Sequence, residues 1–323
     1  MVKILHIRRN PEGGNDGTVN YCQGLYEMFK DDSDCQVLSI PDIPQMKSVF
    51  KYTYSDDTLS EYISQADVVH VNGYTAMGTV KAIRMAKKMG KKVVYTAHWH
   101  PFENLSHPLL GKLFFFLLLA PVIRNCVDVV TAINSEDEAF FKRIHHNVVR
   151  IPHWMNDNSE IPDNVERKKN MILFVGRLND PVKGIEHLLA LPEGKYEVHC
   201  VGRGIMPTDR IDFIHHVNIP VENLSALYAQ ASLVVVPSKY EAFSFVALEA
   251  MEKGTPVLMS ERVRIADYLC DVSGYDIFNY GDMNGFVGKI DSTMQMPVDA
   301  EKVREIFNRE KIKNGYKDLY LSL

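Results

Sequence analysis

The chain has 323 residues, 46% hydrophobic and 24% charged, with a formal net charge of −5 at pH 7. That length exceeds one ordinary hydrophobic core and suits two α/β domains of a soluble enzyme. The slight acidity excludes a dedicated nucleic-acid binder, and five scattered cysteines without a CxxC pair point to reduced thiols in a cytoplasmic setting.

The first predicted strand, residues 2–7, starts close to Met1 and leaves no room for a cleaved leader. Pro11, Gly13 and Gly14 follow, then a helical pattern through Val19, Leu25 and Phe29. A glycine pair between the first strand and helix lets backbone approach a ligand closely. It is not GxGxxG followed by an acidic residue, so a nicotinamide oxidoreductase is disfavoured. Asp32-Ser33-Asp34 spells DxD but follows a helix, and reads as a loop. Strands at 37–40, 68–71, 93–96 and 127–132, with helical stretches between them, predict a doubly wound parallel sheet. His98 stands at the carboxyl end of the 93–96 strand, where a ligand contact, a structural role or a metal site with His100 are all open. No Cys or second His pair lies nearby to complete a zinc set. The pairs His145-His146 and His215-His216 fall in loop-like stretches and are expected at the surface.

Two stretches raise a membrane question. Residues 81–92 form a basic helical pattern with Lys81, Arg84, Lys87, Lys88, Lys91 and Lys92. Residues 109–123, from Leu109 to Ile123, are the most apolar run, yet shorter than the roughly 20 residues a spanning helix needs and interrupted by Lys112 and Pro121. The apolar run is expected as a buried helix or one that dips into a bilayer interface, and the basic one as a solvated outer face or a lipid contact.

A polar segment, 156–170, predicts the domain boundary, with domains at 1–157 and 158–307. A new apolar strand then ends at Gly176, and Arg177, a polar turn, Lys183 and Gly184 open the next helical pattern. Ligands collect outside the carboxyl ends of strands in such sheets, and a guanidinium and an ammonium there can hold a diphosphate. Within 237–257, Glu241 lies on a loop ahead of an apolar helix, Ser244 fits its N-cap, and Glu249 is expected about two turns in. A helix opening behind such a cap offers free amides and the positive end of a dipole to phosphate. The alternative is an ordinary strand, loop and core helix.

Gly176-Arg177…Lys183-Gly184, followed by Glu241-x7-Glu249 and Gly254-Thr255-Pro256-Val257, resembles the retaining GT-B glycosyltransferases of family 4. The resemblance implies two Rossmann-like doubly wound parallel-sheet domains about an interdomain cleft, with the C-terminal helix, expected over 300–320, crossing back so that about 308–323 packs on the first. It implies transfer of a hexose or N-acetylhexosamine from a UDP- or GDP-sugar to a hydroxyl acceptor, lipid-linked or not, with no metal or other cofactor. His98, Glu241, Arg177 and Lys183 would be catalytic. Gly14, Gly176, Arg177, Lys183, Ala242, Phe243, Ser244, Phe245 and Glu249 would hold the donor, Gly14 at its phosphate and His98 near the transferred sugar. The family often has Gly at the positions of Ala242 and Ser244, and Asn-Gly where this chain has His153-Trp154 after Ile-Pro. An inactive GT-B scaffold or partner subunit, or an epimerase or phosphorylase on the same fold, are the other readings. Nucleobase contacts are expected near 218–220 and acceptor contacts in 47–57 and 102–110.

Overall fold

A computed structural model describes residues 1–8, 17–38, 45–48, 51–73, 76–98, 108–155 and 165–323. The chain divides into two compact units, Met1–His153 with Arg309–Leu323, and Trp154–Asn308.

The first unit contains, in order, β1 (Val2–Ile7), α1 (Gly17–Phe29), β2 (Cys35–Val37), a short antiparallel pair β3 (Gln45–Ser48) and β4 (Lys51–Tyr54), α2 (Asp56–Ser64), β5 (Val68–Asn72), α3 (Ala76–Lys88) and β6 (Lys92–Thr96). There follow α4 (Pro108–Phe114), a π-helical turn Phe115–Leu119, α5 (Ala120–Cys126), β7 (Val129–Ala132), α6 (Ser135–Lys142) and β8 (Val148–Arg150). Six parallel strands run in the order β2-β1-β5-β6-β7-β8. Successive side chains on a strand point to opposite faces, and the register aligns those faces across the sheet. Leu5, Val69, Val93, Tyr95 and Val130 share one face, against Ile63 of α2, Ile83 of α3 and Ile123 of α5. The other face carries His6, His70, Asn72, Thr96 and Thr131, all buried.

The second unit contains β9 (Met171–Val175), a 3-10 turn Ile185–Ala190, β10 (Glu197–Val201), β11 (Phe213–His216), α7 (Val221–Gln230), β12 (Leu233–Val236), α8 (Phe245–Glu252), β13 (Val257–Ser260), a second 3-10 turn Arg264–Tyr268, β14 (Tyr275–Phe278), α9 (Met283–Met294) and α10 (Ala300–Ile306). Its six parallel strands take the order β11-β10-β9-β12-β13-β14. The order reverses between β9 and β12, the switch point where open α/β sheets leave a crevice for ligands.

The helix expected over 300–320 is two helices. Phe307, fully buried, leaves helical geometry at φ −101° and ψ 23°, and its carbonyl accepts from the Met155 amide at 3.0 Å. Its ring packs on Phe243 and Tyr268, which fixes α10 in the second unit. The chain then forms α11 (Arg309–Leu321) on the first unit, beside α1 and β1. The stretch expected as a helix after Gly184 is the shorter 3-10 turn.

Candidate active site

In the second unit the site begins where β9 ends. The Gly202 backbone presses on this end so closely that a Cβ there would lie 1.9 Å from the Gly176 carbonyl oxygen. Arg177 follows, its guanidinium 2.5 Å from Asp180 and its side chain 75% exposed. The turn closes through the Lys183 amide to the Asp180 carbonyl at 2.9 Å and the Val182 amide to the Asp180 carboxylate at 3.0 Å. Gly184 then adopts φ +67°, and a Cβ there would lie 1.8 Å from the Pro237 carbonyl oxygen. The Lys239 amide donates to the Val182 carbonyl at 2.7 Å. The turn is therefore laid directly on the end of β12, which a side chain at position 184 would prevent.

That approach brings Lys183 Nζ to 2.6 Å from Glu241 Oε1, with the Ser238 hydroxyl donating to the same oxygen at 3.0 Å. Both partners are largely buried, 25% and 18% exposed. Glu241 is clamped by its own backbone, its amide donating to Arg262 and its carbonyl accepting from Arg264. Sequence reasoning missed a further residue, His187, which is fully buried. Its Nε2 accepts from the Gly281 amide at 3.1 Å, so the neutral ring donates from Nδ1 to the Gly184 carbonyl at 3.0 Å and steadies the left-handed turn. A lone histidine in a helical run carries no signal of that partnership.

Ser244 caps α8 in extended geometry and accepts from the Ala247 amide at 3.3 Å. Among the described residues three non-glycines take a positive φ, and Ala242 is not one of them, so its methyl imposes no left-handed strain. The Phe243 ring is buried against Phe245 and Phe307. Glu249 sits one turn into α8, not two. Burial raises its carboxyl above the ordinary range, against a smaller opposing pull from Tyr228, whose own buried hydroxyl lies outside good hydrogen-bond geometry.

His98 belongs to the first unit and takes a positive φ of 63°. The Asn72 amide nitrogen donates at 3.0 Å to the His70 carbonyl, which can only accept, and this fixes which way the amide points. Asn72 Oδ1 therefore accepts from His98 Nε2 at 3.0 Å. Burial, then the neighbouring His153 and His6, push the His98 pKa well below its usual value. A neutral ring with its proton on Nε2 offers a lone pair at Nδ1. In this tautomer Nδ1 can accept a hydrogen bond but not donate one.

The same amide polarises a buried chain. Asn72 donates to His6 Nδ1 at 3.0 Å, His6 Nε2 to the Tyr320 hydroxyl at 3.3 Å, and Tyr320 to His70 Nδ1 at 2.9 Å. His70 Nε2 then donates to Thr96 at 2.7 Å, and Thr96 bonds Thr131. Every ring nitrogen in this chain has a partner of the correct sense. It crosses β1, β5, β6 and β7 and ties them to α11.

Gly14 and His100 lie outside the described residues. Asp32 sits in a turn and pairs with Lys313 and Lys317, anchoring α11. His145 is buried and bonds the backbone of Val127 and Asn147, and His216 lies on β11 against His199. His145 lies in a loop, as its doublet suggested, but is buried rather than at the surface, while His146 beside it is exposed; His215 and His216 are half-buried on a strand, where a loop was expected. Among the described residues no group of three or more His, Cys, Asp or Glu could hold a metal ion.

Residues 169–295 match the family described as Glycosyl transferases group 1. The chain is 33% identical over 224 residues to an MMP alpha-(1->4)-mannosyltransferase of Mycolicibacterium hassiacum, covering 60% of this chain and 53% of that protein. Its fold is similar to that of a sucrose-phosphate synthase from Thermosynechococcus elongatus, with a TM-score of 0.74 and 18% identity over 99% of this chain and 98% of that one. It is also similar to Anabaena HepE in complex with UDP and glucose, with a TM-score of 0.72 and 14% identity over the whole of both chains. The family match spans the β9-to-α9 region of the second unit, and the two parallel-sheet units have the GT-B fold.

Proposed function

We propose that the protein is a retaining, metal-independent glycosyltransferase that moves a hexose or N-acetylhexosamine from a nucleoside-diphosphate sugar to a hydroxyl acceptor. The observation that carries this reading is the Lys183–Glu241 pair at the β9/β12 switch point, beside the Ser244-capped start of α8. Lys183, Arg177 and the amides after Phe243 supply positive charge and donors for a diphosphate leaving group. As the phosphates draw Lys183, Glu241 is released to the hydroxyls of the sugar. Glu249 accepts from the hydroxyls of a ribose diol. His98 accepts from a hydroxyl of the transferred sugar.

In the transfer the bond between the sugar C1 and the β-phosphate oxygen breaks as the acceptor oxygen bonds C1 from the same face. The acceptor proton passes to the leaving phosphate, so no enzyme nucleophile is required. A UDP-sugar is the first choice of donor, since UDP and glucose occupy the similar HepE structure.

Titration with UDP, GDP and their sugars by calorimetry, together with a hydrolysis assay, tests this reading. One nucleotide series should bind, and Lys183→Ala should weaken it about tenfold or more, the weight of a charge-assisted hydrogen bond. Nucleotide binding without turnover of any sugar would assign an inactive partner subunit, and an epimerised or phosphorylated sugar product the other enzyme readings.

A further inference from the structure

The segment from α4 through the π turn is turned inside out for a helix of a soluble domain. Phe115 and Leu119 are fully buried in the core of the first unit. Leu109, Leu113, Phe116 and Leu117, at helical spacings of four, three and one, are exposed by 82%, 56%, 54% and 65%. Three consecutive residues of an α-helix span about 200° and cannot share a face. The π turn over Phe115–Leu119 adds a residue to the cycle, and Phe116, Leu117 and Leu118 all reach solvent. Contiguous exposed apolar surface of this kind marks an interaction site.

The surroundings are basic. Arg124 and Arg143 line a hollow with Phe116, Pro121, Phe140 and Ile144, and both arginines are exposed. α3 packs against the π turn and α5, and presents Lys81, Arg84 and Lys88 along a second shallow groove with Met77 and Met85. Lys81 is paired to Asp56, and Arg124 donates to the Ile144 carbonyl. Neither 76–92 nor 108–126 contains an Asp or Glu, in a chain whose net charge is −5. Asp56 lines the α3 groove and Asp128 pairs with Lys87, and Arg84, Lys88, Arg124 and Arg143 supply the rest of the charge on this face.

We propose that this face seats on an anionic phospholipid bilayer. Leu109, Leu113, Phe116 and Leu117 enter the interfacial layer, and Arg124, Arg143 and the α3 cations meet lipid phosphates. Among the described residues no helix is long and apolar enough to cross a membrane, so the segment lies on the bilayer. A second copy is the poorer occupant. A two-fold contact sets the same patch against itself, and here it would bring the two basic rims together.

Co-sedimentation of the full chain with phosphatidylcholine vesicles, with and without about 30 mol% phosphatidylglycerol, tests the assignment without any sugar nucleotide. Failure here would leave the transfer reading untouched. Binding is expected on the anionic vesicles alone and should weaken with salt. Arg124→Gln with Arg143→Gln should lower the partition about 25-fold, at about fivefold per charge near an anionic surface. Leu113→Gln with Leu117→Gln should lower it at least about tenfold, since each buried methylene contributes about fourfold. All four side chains are exposed, so the circular dichroism and melting of both variants should match the parent. Absence of binding, or binding that neither variant reduces, overturns the proposal. So does a dimer by light scattering that Leu113→Gln with Leu117→Gln dissociates, which would give the face to a second copy.

Discussion

At the scale of single residues, Asn72 shows how one amide can set the chemistry of several rings. Its nitrogen is committed to the His70 carbonyl and His6, and its oxygen to His98. Asn72→Ala leaves His6 Nδ1 and His98 Nε2 without their partners, a cost of about 1–3 kcal/mol for buried groups. It also frees the His98 tautomer. Nitrogen-15 spectra of labelled imidazoles should show His98 protonated on Nε2 in the parent and mixed in Asn72→Ala. A parent His98 protonated on Nδ1 would contradict the derived polarity. None of this was legible in the sequence, where Asn72 ends an apolar strand like many others. Lys183 and Glu241 were different. Each lies in the loop that follows a strand end, so a local reading could single both out, although their 2.6 Å contact across 58 residues could not be read locally.

At the scale of elements, the site depends on backbone touching backbone. Gly184 and Gly202 lie where a Cβ would fall within 2 Å of a carbonyl oxygen of the next strand end. Gly184→Ala should lower the melting temperature of the second unit and weaken nucleotide binding, since it pushes the Lys183 turn off β12. Gly194 has a similar φ of +72° with nothing within 4 Å of the added carbon. Gly194→Ala should therefore cost only the left-handed penalty of about 1–2 kcal/mol and leave nucleotide affinity unchanged. Equal effects of the two variants in a titration would show that the close approach is irrelevant to the turn. The strands and glycine turns were readable because they follow short-range rules of alternation and backbone freedom. The break at Phe307 was not readable, because its cause is an aromatic contact with Phe243, distant in sequence.

At the scale of the molecule, the first unit buries ionisable rings that remain neutral. Burial lowers His6 and His153 to about 3 and takes His70 and His98 well below the ordinary value of 6.5. As pH falls through that ordinary value, the unfolded chain takes up protons that the folded one refuses, so stability falls with acidification. Each pH unit in this window costs about 1.4 kcal/mol per histidine. Asp32 adds to the loss only at lower pH. Burial opposes its ionisation, but the Asp34 and Cys35 amides, Lys317 and Lys313 outweigh it and hold the carboxyl below the usual carboxylate range. Unfolding of the first unit, followed by denaturant titration between pH 7 and about 4, should show uptake of about four protons. Uptake of fewer than two would mean that the rings are already charged in the fold.

The sequence by itself determined the alternation of strands and helices, the two parallel sheets and the charged turns that follow β9 and β12. Those features rest on hydrophobic period, glycine placement and capping, which act over a few residues. Tertiary structure decided which side chains meet. Strand order and register set His6 beside His70 and returned α11 to cover them, and they joined Lys183 to Glu241. The π turn decided that Phe116, Leu117 and Leu118 face outward from a run whose composition alone suited a buried helix or an interfacial one. Contacts of this kind depend on distances through space between residues far apart along the chain, which no local pattern encodes.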